Sequence, residues 1–335
     1  MRVTTMLRIA GIVVFAVAAA WMPSSAQAQA QTQAQTQAQT WPQWPVKFIL
    51  PLGPASGVDI TARLIGDRLA ARWGQSVVIE NRPGGDGVVA LTAFTGAQDD
   101  HTLLMSPTSS FTHHPWKQEK MPYDPRDLVP IVRVTNTIVA IVVPSSSPIN
   151  SLADLVATAR AQPGQLNWAT ITGFFDFMFE GFQKKQNLDI AKVPYRDTVQ
   201  AANDLAEGRI QLMMSAYAIV RPRVQAGKVK ILAITARERA SFAPDVPAAA
   251  EAGFPDLQIE GLVGLFGSRS LSKEVRDRIA ADVGEVLKEP SIVTRLTATG
   301  QVVNPGTAQE FSAAIDVQRN QAAAVGKLLG LKAAQ

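Results

Sequence analysis

Beyond residue 45, short apolar runs alternate with segments whose apolar residues recur at helical spacing. Residues 46–51 form the first run. After Pro51-Leu52-Gly53-Pro54-Ala55-Ser56-Gly57, the residues Ile60, Leu64, Ile65, Leu69 and Trp73 return on one helical face. This pattern predicts a strand, a loop and an amphipathic helix. Ser56 followed by Asp59 fits a capping box, and Gly74 stands where a helix C-terminal glycine belongs. The same order returns as a strand over 76–80, a turn over 81–87, a helix over 88–95 and a strand over 102–106. After the proline-rich 121–130 stretch, the unbroken apolar run 138–143 reads as a strand buried on both faces.

A second set of units begins at Ser151, which with Asp154 makes another capping pair. It continues with a strand over 166–169, the loop 170–176, the segment 193–197, and a helix ending at Gly208. Then come a strand over 209–215, a helix ending at Gly227 and a strand over 229–235. Beyond 262–266 the chain turns helical through 273–288, and again from the Thr307-x-x-Glu310 box. Alternation of this kind implies an α/β protein with parallel sheets covered by helices. Two Rossmann-like lobes are expected, the first from 44–142 and 262–335, the second from 143–261.

The N-terminus changes the picture. Arg2 and Arg8, an apolar run over 9–20 and Ala26-Gln27-Ala28 have the three-part build of a secretory signal at 1–28. The run is about half of the roughly 20 residues that a membrane span needs. The Gln/Ala/Thr repeat that follows reads as a disordered leader over 29–43, with the fold starting near Trp44. A periplasmic location is the expectation. The absence of cysteine removes lipid attachment, disulfides and thiolate catalysis. Without Arg2 and Arg8 the 32 basic residues fall to 30 against 28 acidic ones. The formal charge therefore gives no argument for nucleic-acid binding.

Candidate chemistry sits in the loops that follow strands, where open α/β sheets bind ligands. Leu52, Pro54, Ala55, Ser56 and Asp59 form the first group, either as a pocket or as helix capping alone. Ser106, Pro107 and Thr108 form the second, and Thr170, Thr172, Gly173 and Phe174 the third. Tyr195, Ser215 and Tyr217 could each offer a hydroxyl, or pack with a satisfied tip. His101, His113 and His114 suggest no metal site, since adjacent histidines on an extended segment point to opposite sides and no carboxylate pattern accompanies them. Met213-Met214 reads as core filling. The turn 81–87 lacks phosphate-loop spacing and reads as structural. No nucleophile elbow or acid/base pair appears, so no catalytic residue and no cofactor is assigned.

Several separated segments resemble the solute receptors of tripartite tricarboxylate transporters, the Bug family. They are 51–59, Glu80-Asn81-Arg82-Pro83-Gly84, Pro122-Tyr123-Asp124-Pro125, Val193-Pro194-Tyr195-Arg196, Ala226-Gly227-Lys228, and Pro244-Asp245-Val246-Pro247 with Glu251-Ala252-Gly253. The resemblance implies a type II periplasmic-binding-protein fold, two lobes joined by two crossover strands, with the ligand between them. It also implies a carboxylate ligand held by backbone amides, hydroxyls and bridging waters. Helix N-termini, with free N–H groups and positive dipole ends, suit that task. Three departures stand out: Pro54-Ala55-Ser56 replaces a pair of glycines, Phe174-Phe175 replaces small polar residues before a histidine, and Arg196-Asp197 replaces Lys-Gly.

The expected function is capture of a small organic carboxylate and its delivery to the membrane subunits of such a transporter, by a monomer. A dicarboxylate or an aromatic acid is favoured by the two phenylalanines. The alternatives are a receptor for a membrane sensor kinase and an exported hydrolase.

Overall fold

In the computed structural model, which describes residues 41–334 apart from 171, 172 and 196, the first apolar run becomes strand β1 (Val46–Leu50) and the first amphipathic segment helix α1 (Gly57–Trp73). The expected signal sequence, the leader up to residue 40 and the candidate Thr172 lie outside the described residues. Gln43, expected in the leader, is held in the fold: its amide donates to His101 Nε2 at 3.0 Å and its carbonyl accepts from Gln75. The chain continues through β2 (Val77–Asn81), α2 (Val88–Ala97), β3 (Thr102–Pro107), the short α3 (His114–Lys117) and β4 (Val129–Thr137).

Only Ile138 separates β4 from β5 (Val139–Pro144). There follow α4 (Leu152–Ala161), β6 (Asn167–Thr170), α5 (Phe174–Gln186), β7 (Ala191–Pro194), α6 (Thr198–Ala206), β8 (Leu212–Ala216), α7 (Tyr217–Gln225) and β9 (Val229–Ile234). The chain then returns through β10 (Gly261–Gly267), α8 (Lys273–Val286), α9 (Pro290–Ala298), β11 (Gln301–Gly306) and α10 (Ala308–Leu328).

Caps set these boundaries. Ser56 Oγ accepts from the Asp59 amide, Ser151 from the Asp154 amide, and Gly74 turns the chain out of α1 at φ 66. At Thr307 and Glu310 the reciprocal capping box is complete. In the two serine pairs the aspartate reaches one residue further back, to the Ala55 and Asn150 amides.

Among the described residues, one sheet has six strands in the order β11-β4-β10-β3-β1-β2, and a second has five in the order β7-β6-β8-β5-β9. The expectation of parallel sheets holds for β1 with β2 and β3, and for β6 with β7 and β8. It fails for β10, which runs antiparallel between β3 and β4, and for β5, antiparallel between β8 and β9. These strands carry the chain between lobes, so they enter each sheet against the direction set by its own βαβ units. The chain leaves the first sheet after Thr137, earlier than the expected boundary after Val142, and rejoins it at Gly261. A Cβ on Gly261 would collide with the Thr137 carbonyl, so glycine lets the two crossovers touch.

Both faces of β5 are covered, which explains its unbroken apolar run: Ile141 and Val143 join one cluster, Ala140 and Val142 another. The first lobe has its own core around Phe94, Phe266 and Phe311. Helix α10 belongs to both lobes. Phe311 and Ile315 pack into the first-lobe core, whereas Ala322 joins the second-lobe cluster and Val325 lies close over Gly181 of α5.

Candidate ligand-binding cleft

Between the lobes lies a cleft of about 310 Å³. The first lobe lines it with Leu52, Ala55, Ser56, Gly57 and Val58 from the β1–α1 turn, with Asp86, and with Pro107, Ser109 and Ser110 after β3. The floor is Thr137, Val139, Gly261 and Gln301, where the crossovers meet. The second lobe supplies Gly173–Asp176 at the start of α5, Thr198 at the start of α6, and Met214, Ser215, Ala216, Ala218 and Ile219 where β8 passes into α7.

The β1–α1 turn is held from beneath. Asp59, 2% exposed, accepts from the Ala55 amide at 2.9 Å, from Arg63 Nε at 3.1 Å and from Asn81 Nδ2 at 2.9 Å. Asn81 Nδ2 also donates to the Leu52 carbonyl, which ties both ends of the loop to one side chain. Burial alone would raise the Asp59 pKa, but the bonds from Arg63, Asn81 and Ala55 outweigh it and hold the carboxyl below its ordinary value. Ala55 sits at φ 62, in the left-handed region that favours glycine. The loop therefore keeps a glycine-type backbone although alanine replaces glycine.

Four helix starts face the cleft: Gly57 of α1, Phe174 of α5, Thr198 of α6 and Ala218 of α7. First-turn amides have no partner within their own helix. In α1 and α6 some are taken, by Ser56 Oγ and by Asp197 Oδ1, which accepts from Val199 and Gln200 at 2.7 and 2.8 Å. At α5 and α7 no side chain among the described residues caps the first turn. These amides and dipoles point positive potential at the cleft. The charged side chains among the described lining residues are Asp86 and Asp176; neither lysine nor arginine is among them. The described lining therefore presents backbone dipoles and hydroxyls, and no cationic side chain, to the cleft.

Of the expected residues, Leu52, Ala55, Ser56, Pro107, Gly173, Phe174 and Ser215 line the cleft. Others do not. Pro54 is exposed, and Asp59 acts through the loop above it. Ser106 Oγ donates to the Pro107 carbonyl, and Thr108 Oγ1 to Gln318 Oε1 at 2.5 Å. Tyr195 donates to Asp204 at 2.7 Å, Asp197 caps α6, and Tyr217 stacks on Phe242 at 4.6 Å. Thr170 ends β6. Missed residues include Ser109 and Ser110, which simply extend a serine/threonine run already singled out. Gln301 and Thr137 carried no local signal. Gln301, 1% exposed, bonds Thr135 and Thr137 across the floor.

The histidines depart from expectation. His113 and His114 lie around a short helix, not on an extended segment, and both reach Asp86, a carboxylate in the turn whose chemistry reads as structural. His113 Nε2 is 2.6 Å from Asp86 Oδ2, and His114 Nε2 donates to the Asp86 carbonyl at 2.9 Å. A carbonyl only accepts, so His114 carries its proton on Nε2 and its Nδ1 accepts from Tyr123 at 2.7 Å. Burial, followed by the neighbouring His113, lowers the His114 pKa against the pull of Asp86. Both His114 nitrogens are thus engaged within the protein. These three residues could offer ligand atoms to a cation, but their present partners account for the geometry.

Two α/β lobes with mixed sheets, two crossovers and a cleft ringed by helix starts define a type II periplasmic binding protein. The sequence profile of the family described as "Tripartite tricarboxylate transporter family receptor" matches residues 61–331, and the chain belongs to that family. It is 29% identical over 287 residues to a UPF0065 protein of Bordetella bronchiseptica, covering 83% of this chain and 84% of that one. It is also similar to R. palustris Rpa4515 solved with adipate, at 26% identity and TM-score 0.75 over 87% of this chain and 99% of that one. The structure of MatC from Rhodopseudomonas palustris with bound malate matches at 28% identity and TM-score 0.72, over 84% and 100% of the two chains. The family is one of solute-binding receptors. No described helix is long and apolar enough to cross a membrane.

Proposed function

We propose that this chain is a periplasmic receptor that captures a small organic carboxylate between its lobes and delivers it to the membrane subunits of a tripartite transporter. The observation that carries the reading is the convergence of four helix starts, two without a side-chain cap among the described residues, on a cleft whose described lining has no cationic side chain. The adipate and malate found with Rpa4515 and MatC support the carboxylate class.

Val58, Val139, Phe174, Phe175, Met214 and Ile219 suit an apolar ligand body. Asp86 in the same lining opposes a second full negative charge beside it, whereas Asp176 has Lys192 at 3.9 Å; on this ground an aromatic acid is favoured over a fully ionised dicarboxylate. The test is a thermal-shift screen of the mature protein against mono-, di- and tricarboxylates and aromatic acids, followed by calorimetry on hits. A selective carboxylate hit, weakened about tenfold by Ser56→Ala, supports the reading. No stabilisation by any carboxylate counts against it.

A further inference from the structure

The turn after β2 holds Gly84, Gly85, Asp86 and Gly87, all at positive φ, and in its middle stands Asp86 at φ 56. Three glycines bear this backbone without penalty, and aspartate is one of the few other residues that tolerate it. The turn is pressed against the first wall: a Cβ on Gly87 would meet Ser110 at 2.9 Å. Asp86 lines the cleft, yet it stands in a site built for anions.

Its orientation is fixed from behind. His113 is fully buried and bonds Asp86 Oδ2 at 2.6 Å, while its Nδ1 has no partner among the described residues. The ring is wedged against Phe174 and Phe177 at 5.9 and 6.0 Å, so the second lobe holds it in place. His114 pins the Asp86 carbonyl. Nothing among the described residues donates to Asp86 Oδ1, which keeps its acceptor capacity beside the cleft.

We propose that Asp86, positioned by His113, selects ligands that carry a hydrogen-bond donor as well as their carboxylate, an ammonium first and a hydroxyl second. The inference rests on the carboxylate-receptor reading. A carboxylate in the wall repels a second anionic end and pairs with a cationic one.

The test uses five probes on one six-carbon chain with the mature protein: hexanoate, 2-hydroxyhexanoate, 2-aminohexanoate, 6-aminohexanoate and adipate, each titrated by calorimetry. At least one amino probe should bind tenfold or more tighter than both hexanoate and adipate. In Asp86→Asn, which keeps the size and the tolerance of positive φ, that probe should weaken tenfold or more while adipate binds more tightly. Opposite changes separate the proposal from general damage, which would weaken both. His113→Gln should reduce the same preference ratio, the sign of a positioning residue. Hexanoate or adipate binding at least as well as every amino probe overturns this inference and leaves the receptor reading intact. No binding by any probe also overturns this inference, while the receptor reading stands or falls with the wider carboxylate and aromatic-acid screen.

Discussion

The first lobe meets the cleft with a loop tied by hydrogen bonds at each end, through Asp59 and Asn81, and with serines, a threonine and a glutamine. The second meets it with Phe174, Phe175, Met214 and Ile219, and with the starts of α5 and α7, which no described side chain caps; only α6 is capped there, by Asp197. Polar side chains fix the backbone on one wall, and packing does most of that work on the other, where Asp197 at α6 is the exception. The division separates two tasks: the first wall sets where a charged group sits, and the second sets which body fits behind it while leaving its amides free.

The largest expected effect tests the packed wall. Phe174, 2% exposed, stands against His113 and Phe175, so Phe174→Ala should cost about 3–4 kcal/mol in denaturant unfolding. A loss below about 1 kcal/mol would mean that packing does not anchor this wall.

Next comes the tied wall. Asp59→Asn should cost about 2 kcal/mol by disturbing the Ala55, Arg63 and Asn81 bonds. Because the folded pKa of Asp59 is depressed, its stabilisation is complete above the ordinary value and is lost as pH falls through the folded value. The variant should lack that part of the acid limb in a stability-versus-pH curve; an unchanged limb would remove Asp59 from its causes. The smallest effect has the opposite sign. Ala55→Gly should raise stability by about 0.5–1 kcal/mol in the same unfolding measurement, since relief of left-handed strain exceeds the added freedom of the unfolded chain.

The sequence was most legible where one local rule settles the structure. Strand, loop and helix order, the Ser56, Ser151 and Thr307 caps, and the walls at Ser56, Pro107 and Phe174 follow from periodicity and capping. Local chemistry also misled: Asp197 and Tyr195 stand beside the cleft in sequence, but capping and a bond to Asp204 engage their side chains. The floor was illegible because Thr137, Gly261 and Gln301 come from three distant strands and meet only through antiparallel crossovers. Asp86 was hidden differently, since its turn chemistry explained the residue well enough without a site.

Helix α10 ties the lobes a third time. Two crossovers lying side by side act as one hinge line and leave the lobes free to twist about it. The helix, seated on Phe266 through Phe311 at one end and passing over Gly181 at Val325 further along, lies off that line. A linkage with three such struts loses its twisting freedom, so any relative motion of the lobes must carry the helix with one of them and slide the other beneath it. The sliding face carries a valine over a glycine, and beside it Gln321 donates to the Gln258 carbonyl, so sliding has a polar bond to break as well. Closure of the cleft would then be limited by α10 as well as by the crossovers, because the helix must give up one apolar seat and one hydrogen bond to let the lobes move.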